Sequence, residues 1–76
     1  MSFSITHKEV DTLTKIDSVD TNTTYIGEAK LEAADSDAVW QILKIIKSGT
    51  ITSILSADSN LRFDNIWDNR TSLNYG

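Results

Sequence analysis

Oxygen-bearing side chains gather in the last third of the chain, and their types and spacing come closest to a reactive or metal-binding set. They are Asp58, Asn60, Asp64, Asn65, Asp68 and Asn69. Calcium takes several carboxylate and amide oxygens from one tight loop. The spacing, however, does not form the D-x-[DN]-x-[DN]-G loop with a distal glutamate that marks such a site. We therefore interpret these side chains as turn caps and expect no metal ligands.

Acid–base or nucleophilic catalysis would have to use a few remaining candidates. Asp35 and Asp37 form a carboxylate pair of the type that performs general acid–base work, although solvated loop charge is the simpler interpretation. His7 is the single histidine, and a Ser-His-Asp arrangement would need a rigid shell around it. There is no cysteine, which excludes a thiol nucleophile, a thiolate zinc site and a disulfide framework. We expect no enzyme, no catalytic residues and no cofactor.

The charge balance narrows the class of partner. Eleven acidic residues against seven basic ones give a net charge of −4. Nucleic-acid binding normally requires a basic patch, and an anionic membrane would repel this chain on average. The N-terminal residues contain no apolar run long enough for a signal peptide or a membrane span. We therefore expect synthesis in a reducing cytoplasm and a partner that is a neutral or basic protein surface, without nucleic acid or membrane.

The length of 76 residues predicts one domain of marginal stability. A domain of this size buries only about 60% of the surface that its unfolded chain exposes. Small folds compensate with disulfides, a metal or a partner chain. Because we expect neither disulfides nor a metal here, association with another protein chain is the remaining source of stability. We therefore expect a homo-oligomer or a complex.

The N-terminal third divides into an arm and a strand. Residues 1–22 are polar and predict a flexible N-terminal arm, with one short strand near residues 13–19. Residues 24–31 alternate between apolar or small and polar side chains, which predicts a half-buried strand. The side chains expected to face inwards are Tyr25, Gly27, Ala29 and Leu31. We place a single β-rich domain at residues 23–76.

Residues 38–47 fit two secondary structures. The apolar residues with helical spacing are Val39, Ile42, Leu43 and Ile46. A hairpin with Ser48 and Gly49 as its two-residue turn would instead place Ile42 opposite Leu55 and match apolar partners along both strands. A helix would leave the apolar residues after the turn without a partner strand. Both structures stay open at this point, and the cross-strand pairing favours the hairpin.

The remaining segments predict the fold class. Residues 61–63 and 71–75 are short strands in this interpretation, with turns around Ile66 and Trp67. The chain is then all-β, a small antiparallel β-sandwich or barrel of about four or five short strands with a flexible N-terminal arm. The expected core consists of Tyr25, Leu31, Trp40, Ile42, Ile46, Leu55, Phe63 and Trp67.

The predicted hairpin is apolar on both faces, although a single small sheet buries one face on its own core. The side chains on the second face form our candidate interface: Val39, Leu43, Ile45 and Ile54. Either the N-terminal arm or a second sheet covers them, or they form a subunit interface. Both hold if the arm is exchanged between chains.

Three sequence elements resemble small proteins encoded among the virion genes of tailed bacteriophages. They are "TYIGEA" at residues 24–29, "AVWQI" at residues 38–42 and "FDNIWDNRTSLNY" at residues 63–75, and the resemblance spans roughly residues 23–76. Two departures are visible: Ser59 stands where the group usually has glycine, and the loop before Trp40 is more acidic. Both would alter turn geometry.

The resemblance implies a non-enzymatic virion structural protein that acts through protein–protein assembly. Its partners would be capsid or tail subunits, as a capsid-decorating, head-associated, neck or tail component. The protein would be made in the host cytoplasm and reside in the virion. The alternative is a small phage-encoded protein that binds and inhibits a host protein, for which the acidity would suit mimicry of nucleic-acid charge.

Overall fold

The computed structural model describes residues 12–76, which form an antiparallel sheet with a C-terminal layer packed on it. The elements are β1 (Thr12–Ser18), β2 (Thr23–Lys30), β3 (Ala38–Ser48), β4 (Ile51–Ser56), β5 (Asn65–Ile66) and the 3-10 helix η1 (Trp67–Ser72). The order in the sheet is β1-β2-β3-β4, and β5 pairs with the start of β3. The expected all-β antiparallel fold is confirmed. Within the predicted arm, Thr12–Ser18 is a strand of the sheet, whereas residues 1–11, including His7, lie outside the described residues.

The β3–β4 hairpin resolves the ambiguity of residues 38–47 in favour of a strand, but the expected register is wrong by two residues. Ser48 pairs with Ile51, so Gly49 and Thr50 form the turn. Gly49 has φ +63°, the conformation of glycine at the first central position of a type II′ turn. Lys44 therefore lies opposite Leu55. Because the shift is two residues, every side chain keeps the face expected for it.

One face of the sheet carries the core, and we call it the covered face. Alternate residues of the strands point to it and the C-terminal segment packs over them. The buried apolar residues are Tyr25, Ala29, Trp40, Ile42, Ala57 and Trp67, with Leu13, Ala33, Leu73 and Tyr75 packed around them. The expected core positions of Tyr25, Trp40, Ile42 and Trp67 are confirmed.

Two tryptophans join the sheet to its C-terminal layer. The rings of Trp40 and Trp67 lie 5.6 Å apart between centroids and are inclined by 36°. The indole N–H of Trp40 donates to the carbonyl of Ala34 at 3.0 Å, which satisfies its one polar group. Gly27 lies beneath them, and a Cβ at this position would meet Cζ3 of Trp67 at 2.6 Å. A side chain at residue 27 would therefore keep the C-terminal layer off the sheet.

The C-terminal layer is held against β1 and β4 by polar contacts. Arg70 forms an ion pair with Asp17 of β1 at 3.0 Å and stacks 4.5 Å from the centre of the Trp67 ring. The hydroxyl of Tyr75 donates to the carbonyl of Arg70 at 2.8 Å. Tyr75 also forms an isolated β-bridge with Ala57 at the end of β4. The first and last described segments of the chain are thus tied to each other.

Several expectations for the loops are wrong. Residues 61–63 form no strand, because the part of β3 that they would have reached pairs with β5. Phe63, expected in the core, is 52% exposed, and Leu31 is 51% exposed because β2 ends before it and the chain turns at Glu32 with φ +74°. The expected last strand at residues 71–75 is replaced by η1 and the Tyr75 bridge.

Candidate interface

The second side of the sheet carries no packed layer within residues 12–76, and we call it the open face. Strand alternation and the observed register place on it Thr14 and Ile16 of β1, Thr24, Ile26 and Glu28 of β2, Gln41, Leu43 and Ile45 of β3, and Thr52 and Ile54 of β4. The C-terminal segment packs on the opposite side, where Trp67 meets Gly27. Residues 12–76 therefore leave the open face available to a partner.

The centre of the open face is a contiguous apolar patch. Ile16 pairs with Ile26, and Ile26 pairs with Leu43, which makes one row across three strands. Ile45 pairs with Ile54 in the neighbouring row. Side chains that lie directly opposite each other contact across an antiparallel pair. These five residues are called the apolar patch, and Ile16 and Ile54 at its edges are 65% and 62% exposed.

The structure brings together three of the four residues of the predicted interface. Leu43, Ile45 and Ile54 lie within the apolar patch. Val39 does not: Gln41 separates it from Leu43 along β3, and it lies at the register shift between residues 38 and 40. It faces a groove at the end of the sheet rather than the patch.

Ile16 and Ile26 belong to the patch but were absent from the predicted interface. The signal for Ile26 was present, because the alternation of β2 places it on the face opposite Tyr25 and Gly27. Ile16 was hidden by its polar surroundings, which predicted a flexible arm with one short strand but not the pairing of that strand with β2 along its whole length. The apolar patch therefore includes residues of four strands and is not confined to the hairpin.

The groove at the end of the sheet is a second apolar surface, with a volume of about 710 Å³. Its lining residues are Thr12, Ala29, Lys30, Leu31, Glu32, Ala33, Asp37, Val39 and Phe63. The exposed Leu31, Val39 and Phe63 give it an apolar wall. The Asp37 carboxylate on its rim accepts the backbone N–H of Ala34 at 2.9 Å, which makes it a turn cap.

Lys15 and Lys44 point to the covered face, while Glu28 and Lys47 lie on the open face outside the apolar patch, so the five residues of the patch carry no charge. Lys15 forms an ion pair with Asp35 at 2.6 Å. The ammonium of Lys44 lies 5.7 and 5.6 Å from the ring centres of Tyr25 and Tyr75. The apolar patch is consequently suited to an apolar partner surface, with no charge on the patch itself to desolvate.

Oxygen-bearing residues of the C-terminal third make local turn contacts. The side-chain oxygen of Asn60 accepts the backbone N–H of Arg62 at 2.9 Å, a turn contact of the type expected. Among residues 12–76, no three His, Cys, Asp or Glu side chains are grouped so that they could hold a metal ion.

Burial, reinforced by the neighbouring Tyr25, raises the pKa of Tyr75 to about 12, so its hydroxyl serves as a donor and not as a base at neutral pH.

Comparison with protein-family models, with curated proteins and with solved structures finds no match to this chain. In the part of the chain that the structure describes, no helix is long and apolar enough to cross a lipid bilayer. A proposal for the function of this chain therefore rests on the geometry of the open face.

Proposed function

We propose that this chain is a non-enzymatic structural protein of a tailed-bacteriophage virion, which assembles with other virion proteins through its open face. The observation that carries the assembly role is the apolar patch of Ile16, Ile26, Leu43, Ile45 and Ile54. Soluble monomers rarely expose a large contiguous apolar surface, and such patches mark interaction sites. The partner is a capsid or tail subunit that presents an apolar surface with a neutral or basic rim, given the net charge of −4.

Burial of the patch supplies a driving force of useful size. Complete burial of one isoleucine or leucine side chain contributes about 1.5–3 kcal/mol. Ile16 and Ile54 are still largely exposed, and Leu43 lies between them in the middle of the face. β-Branched side chains on a sheet lose little rotamer freedom on contact, which keeps the entropic cost of association low.

The virion assignment is supported by the resemblance of three sequence elements to phage virion proteins. The structure gives these elements a common role, because they build the covered face: "TYIGEA" contains Tyr25 and Gly27, and "AVWQI" contains Trp40 and Ile42. The last element contains Trp67, which packs on both. The resemblance therefore concerns the residues that pack the C-terminal layer on the covered face of the sheet.

Leu43→Asp tests the assembly role, and Ile42→Asp is its matched control on the neighbouring position of β3. Leu43 points to the open face, whereas Ile42 is 1% exposed in the core. We expect Leu43→Asp to fold and to lose binding to phage particles that lack the wild-type chain, measured by co-sedimentation, while Ile42→Asp fails to fold by near-ultraviolet circular dichroism. If Leu43→Asp unfolds as Ile42→Asp does, the open face belongs to the chain's own core and the assembly role is overturned.

The virion role is tested by quantitative mass spectrometry of purified particles. A structural component is present in many copies per particle, and Leu43→Asp in the phage genome should reduce that number. Complete absence of the wild-type chain from particles would contradict the virion role and would favour the inhibition of a host protein instead.

A further inference from the structure

The outer edge of β4 is an unpaired strand edge within residues 12–76 and is distinct from the open face. β4 is the last strand in the sheet order, and within residues 12–76 no strand pairs with its outer side. Ile51 is 67% exposed and Ile54 is 62% exposed. Unpaired edge strands offer rows of backbone donors and acceptors to another chain.

The hydrogen-bond pattern shows which backbone groups point to that edge. The N–H of Ala57 donates to the carbonyl of Ile42 at 3.0 Å, so Ala57 directs its backbone groups towards β3. Directions alternate along an antiparallel strand, so Ser56, Ile54 and Thr52 direct theirs outwards. The carbonyl of Ser56 indeed accepts the N–H of Gly76 from the outer side. Thr52 and Ile54 thus present donors and acceptors at the free edge.

Both ends of this free edge are closed. At one end, Gly76 binds the outer side of Ser56 and the carbonyl of Asn74 accepts the N–H of Asp58 at 2.7 Å. At the other end, the chain turns at Gly49. Only residues 51–55 are open to a partner strand.

The open segment lacks the features with which edge strands normally resist pairing. Protected edges carry charges, proline or a bulge. Residues 51–55 read Ile-Thr-Ser-Ile-Leu and contain neither charge nor proline, and their pairing with β3 is regular. The other edge strand, β1, carries Lys15 and Asp17. The net charge of −4 makes two copies of the chain repel each other. Residues 51–55 carry no charged side chain, so this segment of β4 adds nothing to that repulsion.

We propose that β4 pairs antiparallel with β4 of a second copy of this chain, across a two-fold axis at Ser53. In this register Thr52 lies opposite Ile54 of the second copy and exchanges both backbone hydrogen bonds with it. Ser53 faces its own counterpart, and Ile51 faces Leu55 of the second copy. Apolar residues then meet apolar residues on one face, and the small serines meet at the axis.

The two neighbouring symmetric registers are worse. A shift in one direction places Thr52 opposite Ser56, whose carbonyl already accepts N–H groups of Ser59 and Gly76. A shift in the other direction places Ile51 opposite Ser53, so that Ile51 and Leu55 no longer face each other. A two-fold contact pairs one residue with a second and that second with the first, and only the register centred on Ser53 gives Ile51 and Leu55 to each other.

The paired sheets would be continuous, and their apolar patches would merge, because Ile54 lies both at the edge and on the open face. The edge contact itself does not depend on the proposed function. It uses backbone groups of β4, whereas assembly in the virion uses side chains of the open face.

Ser53→Cys tests the two-fold contact directly, because the chain has no cysteine of its own. In the proposed register Ser53 is a non-hydrogen-bonded pair with itself, with Cα atoms about 4.5 Å apart, within the range that a disulfide spans. We expect rapid formation of a disulfide-linked dimer under mild oxidation. Ile51→Cys is the register control, since its two copies would lie roughly 13 Å apart. Thr14→Cys is the control for an exposed position on the other edge strand.

Equal rates of crosslinking for Ser53→Cys and both controls would overturn the proposal. Preferential crosslinking between Ser53→Cys and Thr14→Cys chains in a mixture would also overturn it, because it would place β1 against β4. A chain with Leu43→Asp and Ser53→Cys should still crosslink, so that failure of the open-face role and failure of the edge contact give different results. Ser53→Lys should shift the wild-type dimer to monomer in sedimentation without unfolding, since two ammonium groups would meet at the axis.

Discussion

Gly27 lies beneath the rings of Trp67 and Trp40, and the absence of a side chain there allows the C-terminal layer to pack on the sheet. Gly27→Ala would place a Cβ 2.6 Å from Cζ3 of Trp67 and 3.1 Å from Cε3 of Trp40. Overpacking of this kind costs about 1–3 kcal/mol. We expect the free energy of unfolding in urea to fall by that amount. Trp67→Phe should relieve part of the loss in the double variant, and simple additivity would contradict the contact.

Tyr75 makes the free energy of unfolding depend on pH in the alkaline range. Its pKa is raised to about 12 in the folded chain from 10.0, chiefly by burial. The folded state therefore keeps a proton that the unfolded state loses, so this contribution is complete below pH 10 and is lost as the pH rises to about 12. Because the ring is partly exposed to solvent, we expect a loss of less than about 2 kcal/mol. Urea unfolding across this pH range measures it, and Tyr75→Phe should flatten the dependence. An equally steep dependence in Tyr75→Phe would exclude this origin.

The turn after β4 carries strain that glycine would remove. Asp58 and Ser59 have φ +58° and +59°, and the N–H of Asn60 donates to the carbonyl of Ala57 at 3.3 Å, as in a type I′ turn. We expect Ser59→Gly to be more stable than Ser59→Ala by about 1 kcal/mol, since both lose the hydroxyl contact to Gly76 and only glycine relieves the backbone. Equal unfolding midpoints would show that the positive φ costs nothing here.

The sequence predicts the strands better than their pairing. Period-two alternation is sufficient for β2 and β3, because Tyr25, Trp40 and Ile42 follow it. The hairpin register is not determined by alternation, since a turn at Gly49 can begin one residue earlier or later and keep the same faces. Phe63 was misplaced because a short apolar run resembles a strand, while nothing local shows that β5 already occupies the start of β3.

The candidate interface was also predictable only in part, because the sequence indicates the two faces of a strand but not which strands pair. Leu43, Ile45 and Ile54 follow from one hairpin, whose faces are local information. Ile16 joins them only through the pairing of β1 with β2, which is a tertiary fact. The free edge of β4 also depends on sheet order, because the sequence of a strand does not state whether it is central or peripheral.

Residues 12–76 divide most of the apolar side chains of their sheet between two faces with different energetic roles. Residues of the covered face pack against the C-terminal layer and hold the fold together, whereas the apolar patch of the open face contributes little to the fold of the single chain. Ile42 and Trp67 are 1% and 5% exposed, against 65% for Ile16 and 62% for Ile54. Folding and assembly should therefore respond to different substitutions.

This division predicts opposite outcomes for matched substitutions on the two faces. Ile16→Thr and Ile54→Thr keep β-branched side chains on exposed strand positions, so we expect each to change the free energy of unfolding by less than about 0.5 kcal/mol. Both should weaken binding to phage particles that lack the wild-type chain, measured by co-sedimentation. Trp67→Ala should cost about 3–5 kcal/mol, enough to unfold a domain of this size. If Ile54→Thr destabilised the monomer as strongly as a core substitution, the open face would already be buried within the chain, and the surface that we assign to a partner would have to be sought elsewhere.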